Sequence, residues 1–286
     1  MTAAQIVAGY DGSLEARTAV DWAAAEAART SAPLLIVYAY QFAWPSSPSV
    51  AGPGPIAVEA GERAEHIIDE VVEHVRKGWP GLAVTGTSVH AAPASALLDL
   101  AGHARLLVVG NRGAGGVANL LLGSVSQQVA THARVPVAVI RGQATATRGP
   151  VVVGVDGSPS TDAALALAFD LAATRGTGLV AIRAFTPPSP VLVPLQTVEA
   201  AEHEALDAAL TGWPEKYPGV ALHARPVPGR PARVLIGASH AAQLIVVGSR
   251  GHGGFAGLLL GSVGQQLMHH ADCPVLIAHR PDPGTA

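Results

Sequence analysis

Two glycine-rich segments with identical internal spacing are the part of the sequence best suited to chemistry. Both follow the pattern G-x2-G-x9-G-S, the first from Gly110 to Ser124 and the second from Gly248 to Ser262. Glycine permits positive φ and close approach to the backbone, so successive N–H groups can line an anion site. Each closing Gly-Ser pair begins a helical pattern, whose free N–H groups and dipole favour phosphate. The duplicated spacing therefore predicts two phosphate-binding loops, although a single copy could be a flexible turn with serine as N-cap.

A second pair of polar residues, Asp11 and Asp156, follows short apolar runs and is succeeded each time by Gly-Ser. A carboxylate there can accept a hydrogen bond from an exocyclic amine or hold a cation bound to phosphate. The alternative is that each aspartate caps the helix that follows. Both alternatives stay open on the sequence alone.

Arg112 and Arg250 lie inside the two glycine loops, where they could steer phosphates or simply be solvated. Ala39 and Ala184 each end the following apolar run, and their small side chains would let a flat base lie against the backbone. These residues complete the candidate site in each half of the chain.

All of these residues belong to an internal repeat, which is the clearest sign of domain organisation. Residues 6–13 (IVAGYDGS) return at 151–158 (VVVGVDGS), and residues 109–113 return at 247–251. The second copy lies 145 residues after the first at 6–13 and at 33–40, but 138 residues after it at 79–81 and at 109–113. It has therefore lost seven residues between its second and third strands. We predict two domains, 1–142 and 150–281.

Within each half, β-branched runs alternate with alanine-rich or amphipathic segments, as in βαβ units of a parallel sheet. The predicted strands are 5–10, 34–40, 83–89, 105–110 and 136–141, then 150–155, 179–185, 221–227, 243–248 and 274–279. The predicted helices are 14–31, 57–78, 93–104 and 122–133, then 159–175, 196–216, 231–241 and 260–271. Ligands of such sheets bind beyond the carboxyl ends of the strands where strand order reverses, which here means after strands one and four.

Composition excludes several classes of protein. With 49% hydrophobic and 14% charged residues, the chain is expected to be globular. A net charge of −3 without a basic run argues against nucleic-acid binding. The absence of a long apolar run argues against a membrane span or a secretory signal. One cysteine, Cys273, is typical of a reducing compartment, so we expect a cytoplasmic protein.

Rival motifs fit the sequence poorly. Residues 113–118 and 251–256 match G-x-G-x-x-A, but the dinucleotide fingerprint follows a first strand, whereas these segments follow the fourth. The chain has no Gly-Lys-Ser or Gly-Lys-Thr, and its histidines show no metal-ligand spacing. We therefore expect no catalytic residues of a hydrolase and no metal cluster.

The strand-end aspartates, the glycine loops, the valine after each loop serine and the closing segments Val135-Pro-Val137 and Cys273-Pro-Val275 resemble the ATP-binding universal stress protein family. The resemblance covers nearly the whole chain in two copies. It implies an α/β fold of two tandem Rossmann-like (adenine nucleotide alpha hydrolase-like) domains. Each would contain a five-stranded parallel sheet of order 3-2-1-4-5 with helices on both faces.

The resemblance also implies that adenine lies near the strand-end aspartate and alanine, and that ribose and phosphates lie on the glycine loop. The candidate binding residues of the first copy are Gly9, Asp11, Ala39, Val109, Gly110, Arg112, Gly113, Gly123, Ser124 and Val125. Those of the second are Gly154, Asp156, Ala184, Val247, Gly248, Arg250, Gly251, Gly261, Ser262 and Val263. The loops differ at Asn111 and Ala114 against Ser249 and His252, so the two sites need not bind equally.

These features favour a non-catalytic or very slowly hydrolysing ATP-binding regulator of stress tolerance and growth. The alternative is an ATPase or nucleotidyl-transfer enzyme that uses Asp11 or Asp156 with Mg²⁺. The last strands, 135–140 and 273–278, are expected to pair with each other within the chain, and a homodimer is a further expectation. The Pro-rich loops 42–55 and 186–194 could act as nucleotide-dependent lids that present a surface to a protein partner.

Overall fold

The computed structural model describes residues 4–41, 55–115, 122–187, 194–252 and 260–280. The chain divides into two compact units, residues 1–129 and 130–286. Most of the two predicted lid loops, residues 42–54 and 188–193, lies outside the described residues. In the described part of the chain, no helix is both long and apolar enough to cross a bilayer.

The first unit alternates strands and helices in the predicted order. Its elements are β1 (Ile6–Tyr10), α1 (Leu14–Thr30), β2 (Leu34–Tyr40), α2 (Pro55–Gly78), β3 (Val84–His90), α3 (Pro93–Leu100) and β4 (Leu106–Gly110). The strands are arranged β3-β2-β1-β4, and every pairing in this part of the sheet is parallel. Helix α4 (Ser124–His132) then leads into the second unit. Strands one and four are therefore neighbours, as the predicted order requires.

The second unit contains β5 (Val137–Ile140) and the whole second repeat. The remaining elements are β6 (Val151–Gly154), α5 (Thr161–Arg175), β7 (Leu179–Phe185), α6 (Leu195–Leu210), α7 (Trp213–Lys216), β8 (Leu222–Pro228), α8 (Pro231–Ser239), β9 (Leu244–Gly248), α9 (Ser262–His270) and β10 (Val275–Ala278). The order is β5-β10-β9-β6-β7-β8, so the second repeat has the predicted 3-2-1-4-5 arrangement.

The pairing of β5 with β10 is antiparallel and aligns Val139 with Val275 and Val137 with Ile277. All four side chains are fully buried. The predicted pairing of the last strands is therefore confirmed as a ladder within the chain. The compact unit of residues 130–286 includes β5. The predicted domain boundary between residues 142 and 150 stays a prediction.

Small side chains explain how the helices approach the sheet. Ala19, Ala23 and Ala27 recur every fourth residue on one face of α1, and all three are fully buried. That spacing places them in one row along the helix, so the backbone of α1 can lie close to the strands. The inner strands β1, β4, β5, β6, β9 and β10 are almost entirely buried, which fits their nearly continuous apolar sequences, whereas the edge strands β3 and β8 are partly exposed.

Several predicted helices differ from the structure at their ends, and one is divided in two. The segment predicted as one helix over 196–216 is broken at Gly212, whose positive φ of 82° cannot continue a right-handed helix. Helix α5 begins at Thr161 rather than at residue 159. The two residues before it are Pro159 and Ser160, and Ser160 is the N-cap.

Gly142, which follows β5, provides a test of the connection between the repeats. It has a φ of +57°, and a Cβ there would collide with the backbone of Asp272. We expect Gly142→Ala to lower the free energy of unfolding by about 2 kcal/mol or more, because strain and overpacking add. Gly176→Ala is the matched control, since Gly176 has a similar φ of +60° but open space around it. If Gly142→Ala and Gly176→Ala lost the same free energy of unfolding in urea, the close approach of residue 142 to Asp272 would have no energetic importance.

The side chain of His279, the residue after β10, should make the free energy of unfolding depend on pH. Burial lowers its pKa to about 4, and the nearby positive charge of Arg250 acts in the same direction. The folded state therefore resists protonation, and stability present above pH ~6.5 is lost as the pH falls towards 4. We expect this loss to be about 2 kcal/mol, and smaller in His279→Gln. Unfolding measured from pH 7 to pH 4 should show parallel curves for the two proteins if this interpretation is wrong.

Candidate functional site

The carboxyl ends of β1, β2 and β4 enclose a cavity of about 410 Å³ in the first unit. Parallel pairing of β1 with both β2 and β4 brings these three strand ends to the same edge of the sheet. Every candidate residue of the first copy lines this cavity: Gly9, Asp11, Ala39, Val109, Gly110, Arg112, Gly113, Gly123, Ser124 and Val125. The structure therefore brings together residues that lie up to 116 positions apart, from Gly9 to Val125, although their role in binding stays a prediction.

Sequence reasoning missed the apolar wall of the cavity. Pro93 and Leu97 of α3 line it, as do Val37 and Leu122. A Cβ on Gly9 would lie 3.0 Å from Leu97 Cδ1, so this glycine lets α3 approach the strand end. A signal was available in the sequence, because both repeats have a proline at the start of the corresponding helix, at Pro93 and Pro231.

The glycine loop is closed by its own ends. The Gly123 N–H donates to the Asn111 carbonyl at 2.7 Å, and the Ser126 hydroxyl donates to the Gly110 carbonyl at 2.6 Å. In the second copy the Gly261 N–H donates to the Ser249 carbonyl at 2.8 Å. Residues 116–121 and 253–259 in the middle of the loops lie outside the described residues. The closure places the beginning of α4, or of α9, next to the end of strand four.

Asp11 is held by three hydrogen bonds from the protein. Its Oδ1 accepts from the Ser13 backbone N–H at 3.0 Å and from the Ser13 hydroxyl at 2.6 Å. Its Oδ2 accepts from the Ala114 N–H, in the glycine loop, at 2.8 Å. The cap of α1 is Ser13, whose Oγ accepts from the Ala16 N–H at 3.1 Å. The alternative in which Asp11 caps the helix is therefore wrong.

Asp156 repeats the arrangement in the second unit. Its Oδ1 accepts from the Ser158 N–H at 2.9 Å and the Thr161 hydroxyl at 3.1 Å, and its Oδ2 accepts from the His252 N–H at 3.2 Å. Burial alone would raise the pKa of Asp156, but these hydrogen bonds outweigh it and place the pKa below its usual value. The carboxylate form is therefore favoured, as its donors require.

The other candidate residues of the second copy occupy equivalent positions. Gly154 and Ala184 lie at the ends of β6 and β7, Val247 and Gly248 end β9, and Gly261 is the N-cap of α9. Ser262 and Val263 begin α9, while Arg250 and Gly251 follow β9. Ser262 is thus the first helical residue and not the cap.

The two copies differ at the start of the helix after strand one. In the second copy, the Ser160 hydroxyl donates to the Arg250 carbonyl in the glycine loop, and the Ser158 hydroxyl donates to the same oxygen at 3.2 Å. The residue equivalent to Ser160 in the first copy is Glu15, whose backbone carbonyl faces Gly110. The second loop is therefore tied to its neighbouring helix by Ser160, which the first copy lacks, and by Ser158, whose equivalent Ser13 donates its hydroxyl to Asp11 instead.

Other reactive groups are not part of this arrangement. Cys273 is fully buried, and burial raises the pKa of its thiol to about 12, so the thiol is inert at neutral pH. Among the described residues, no group of three or more His, Cys, Asp or Glu side chains could hold a metal ion.

Comparison with known proteins places the chain among relatives of the same length. The model of the "Universal stress protein family" matches residues 3–141 and again 147–279. Universal stress protein Rv2005c of Mycobacterium tuberculosis is 37% identical over 285 residues, which cover 96% of this chain and 97% of the relative. A universal stress protein of Mycolicibacterium smegmatis is 36% identical, with 95% and 96% covered.

A solved structure supports the same fold. The crystal structure of a universal stress protein from Archaeoglobus fulgidus superposes with a TM-score of 0.71 at 19% identity, covering 98% of this chain and 97% of the other. With its α/β architecture, its duplicated family match and full-length relatives above 35% identity, the chain belongs to the universal stress protein family, as a member with two such domains in tandem.

Proposed function

We propose that this protein is an ATP-binding regulator of stress response and growth, with one adenine-nucleotide site in each repeat and little or no ATP hydrolysis. The observation that carries the proposal is the cavity at the carboxyl ends of β1, β2 and β4. It combines an apolar wall with a closed glycine loop and the N-terminus of α4. These are the components that a nucleotide needs at a point where strand order reverses.

The cavity suits a nucleotide in size and chemistry. Its volume of about 410 Å³ falls within the range of roughly 300–1,000 Å³ that is usual for small-molecule sites. Val37, Leu97 and Leu122 offer an apolar surface to a base. Ser124 and the first N–H groups of α4 offer donors to phosphate oxygens. The same cavity thus offers an apolar surface for a flat base and donors for an anionic group.

The aspartates support a binding role more than a catalytic one. A general base must have an acceptor oxygen directed at the attacking water. Each of Asp11 and Asp156 instead accepts three hydrogen bonds from the protein itself. The competing proposal is an ATPase or nucleotidyl-transfer enzyme in which one of these carboxylates binds Mg²⁺. It requires that the aspartate bind the metal through the acceptor capacity that its three protein donors leave.

The proposal also covers a nucleotide-dependent surface for a protein partner, the location of the protein and its oligomeric state. ATP, with or without Mg²⁺, would contact the loops 42–55 and 186–194 and so change the surface offered to a protein partner. A cytoplasmic location and a homodimer belong to the same proposal. Nucleotide-dependent hydrogen exchange confined to the glycine loops, with 42–55 and 186–194 unaffected, would exclude the lids.

Turnover distinguishes the two functions. We expect the purified protein to release ATP or another adenine nucleotide on denaturation, identified by mass. We also expect ATP incubated with the protein and Mg²⁺ to stay mostly intact over many minutes, because both oxygens of each aspartate already accept hydrogen bonds from the protein. Multiple turnovers per minute that disappear in Asp11→Asn and Asp156→Asn would support the enzyme instead.

A further inference from the structure

We propose that Asp11 and Asp156 are positioning residues that clasp each glycine loop to the end of strand one, and that they do not recognise the adenine base. By clasp we mean the pair of carboxylate oxygens, one bonded to the turn after the strand and one bonded to the loop. The inference rests on the proposed nucleotide function and specifies how the site is built. The family resemblance instead assigns these residues to the adenine.

The first support is geometric and occurs twice. In the first copy Oδ1 of Asp11 binds Ser13, two residues away, while Oδ2 binds the Ala114 N–H, 103 residues away. In the second copy Oδ1 of Asp156 binds Ser158, and Oδ2 binds the His252 N–H, 96 residues away. The side chains at 114 and 252 differ, and only their backbone N–H groups are used. An interaction with the backbone explains how the clasp persists while the loop sequence changes.

The second support comes from Gly113 and Gly251, the middle glycines of the two G-x2-G-x9-G-S segments. A Cβ added to Gly113 would collide with Oδ2 of Asp11. A Cβ added to Gly251 would lie 2.6 Å from Oδ2 of Asp156, which is also too close. In both copies the nearest atom to that added Cβ is the carboxylate oxygen, so Gly113 and Gly251 leave room for the clasp. The G-x2-G spacing thus has a structural reason that does not involve a ligand.

The third support is the number of acceptor sites. A carboxylate accepts on both oxygens, whereas asparagine offers one acceptor oxygen and an NH₂ group that donates. In both copies donors from the protein face both oxygens. An asparagine at position 11 or 156 would therefore direct its NH₂ at another N–H or O–H donor on one side. Asp→Asn should open one half of the clasp with almost no change in side-chain size.

The two copies should respond unequally. The second loop has additional ties, because the hydroxyls of Ser158 and Ser160 both donate to the Arg250 carbonyl. The corresponding residue of the first copy, Glu15, has no hydroxyl with which to make the tie of Ser160. Loss of the clasp should thus loosen the first glycine loop more than the second.

The experiment uses the full-length chain with Asp11→Asn, Asp156→Asn and both together. Glu15→Gln and Asp162→Asn are matched controls, since they remove the same charge in the first turn of α1 or α5. Gly113→Ala is a second route to the same defect that retains the aspartate. The readouts are hydrogen exchange of residues 106–115 and 244–252 without ligand, and the affinities for ATP and inosine triphosphate. Inosine triphosphate lacks the exocyclic amine but has the same phosphates.

We expect Asp11→Asn to speed exchange in 106–115 while the strand cores are unaffected, and to weaken ATP binding by about tenfold. The ratio of ATP to inosine triphosphate affinity should remain that of the unsubstituted protein, because phosphate positioning and not base recognition is lost. Gly113→Ala should have the same effects as Asp11→Asn. The controls Glu15→Gln and Asp162→Asn should change neither hydrogen exchange of the loops nor the nucleotide affinities.

Two results would overturn the clasp. One is unchanged exchange in both loops of the double variant. The other is a lower ratio of ATP to inosine triphosphate affinity in that variant than in the unsubstituted protein, which would place the carboxylate on the exocyclic amine. If the unsubstituted protein bound neither nucleotide, the proposed function would fail, while faster loop exchange in the variants would still support the clasp.

Discussion

Replacing Gly123 and Gly261 together by valine is expected to weaken ATP binding by at least about tenfold without unfolding the protein. A Cβ on Gly123 would lie 3.4 Å or more from its neighbours, and one on Gly261 would lie 3.6 Å or more. These are ordinary contact distances, and Gly261 has extended backbone angles that any residue can adopt. The valine methyl groups would instead occupy the space at the start of α4 and α9 through which a phosphate must reach the helix N–H groups.

The matched control is the pair Gly81→Val and Gly219→Val, which occupy equivalent places in the two repeats and have open space around them. Calorimetric titration with ATP should separate the two double variants, with normal affinity in the control. If a well-folded Gly123→Val, Gly261→Val protein bound ATP with unaltered affinity, the glycine loops could not be part of the ATP site.

A second substitution tests a different glycine and should reduce stability rather than affinity alone. A Cβ on Gly110 would lie 2.9 Å from both the carbonyl carbon and the carbonyl oxygen of Glu15. These atoms belong to the backbone at the start of α1 and cannot move away as a side chain can. We expect Gly110→Ala to lower the free energy of unfolding by about 3 kcal/mol, the upper end of overpacking effects.

The second repeat offers a comparison for this result. A Cβ on Gly248 would meet the side chain of Ser160, with Ser160 Cβ at 2.8 Å, while the nearest backbone atom is 3.2 Å away. Gly248→Ala should therefore be destabilising by itself and be partly rescued by Ser160→Gly, whereas Gly110→Ala has no such rescue. Urea unfolding of the single and double variants measures the coupling. Strict additivity of Gly248→Ala and Ser160→Gly would contradict the close packing of Gly248 against the Ser160 side chain.

Much of the fold was predictable because the chain presents each element twice. The strands agree within about two residues at each end, since β-branched runs bounded by Gly, Pro or Asp leave few alternatives. Repetition of the motif also identified the strand ends that line the cavity, because the order 3-2-1-4-5 brings strands one and four together.

What could not be predicted depends on partners that are distant in the sequence. The donors to Asp11 include a backbone N–H in the glycine loop, and no side-chain pattern marks a backbone group. The hydrogen bond from the Ser160 hydroxyl to the Arg250 carbonyl also involves a backbone group, and it exists in one repeat only. The break of α6 before Gly212 is a different case, because Gly212 and Pro214 are local signals of a helix end that the predicted helix over 196–216 does not take into account.

Calorimetric titration of the full-length protein with ATP, after removal of any co-purified nucleotide, would show whether the chain has two ATP sites. The two-site proposal predicts saturable binding that approaches two ATP molecules per chain, with the first site lost in Gly123→Val and the second lost in Gly261→Val. Absence of saturable heat at millimolar ATP, in protein shown to be folded, would contradict it.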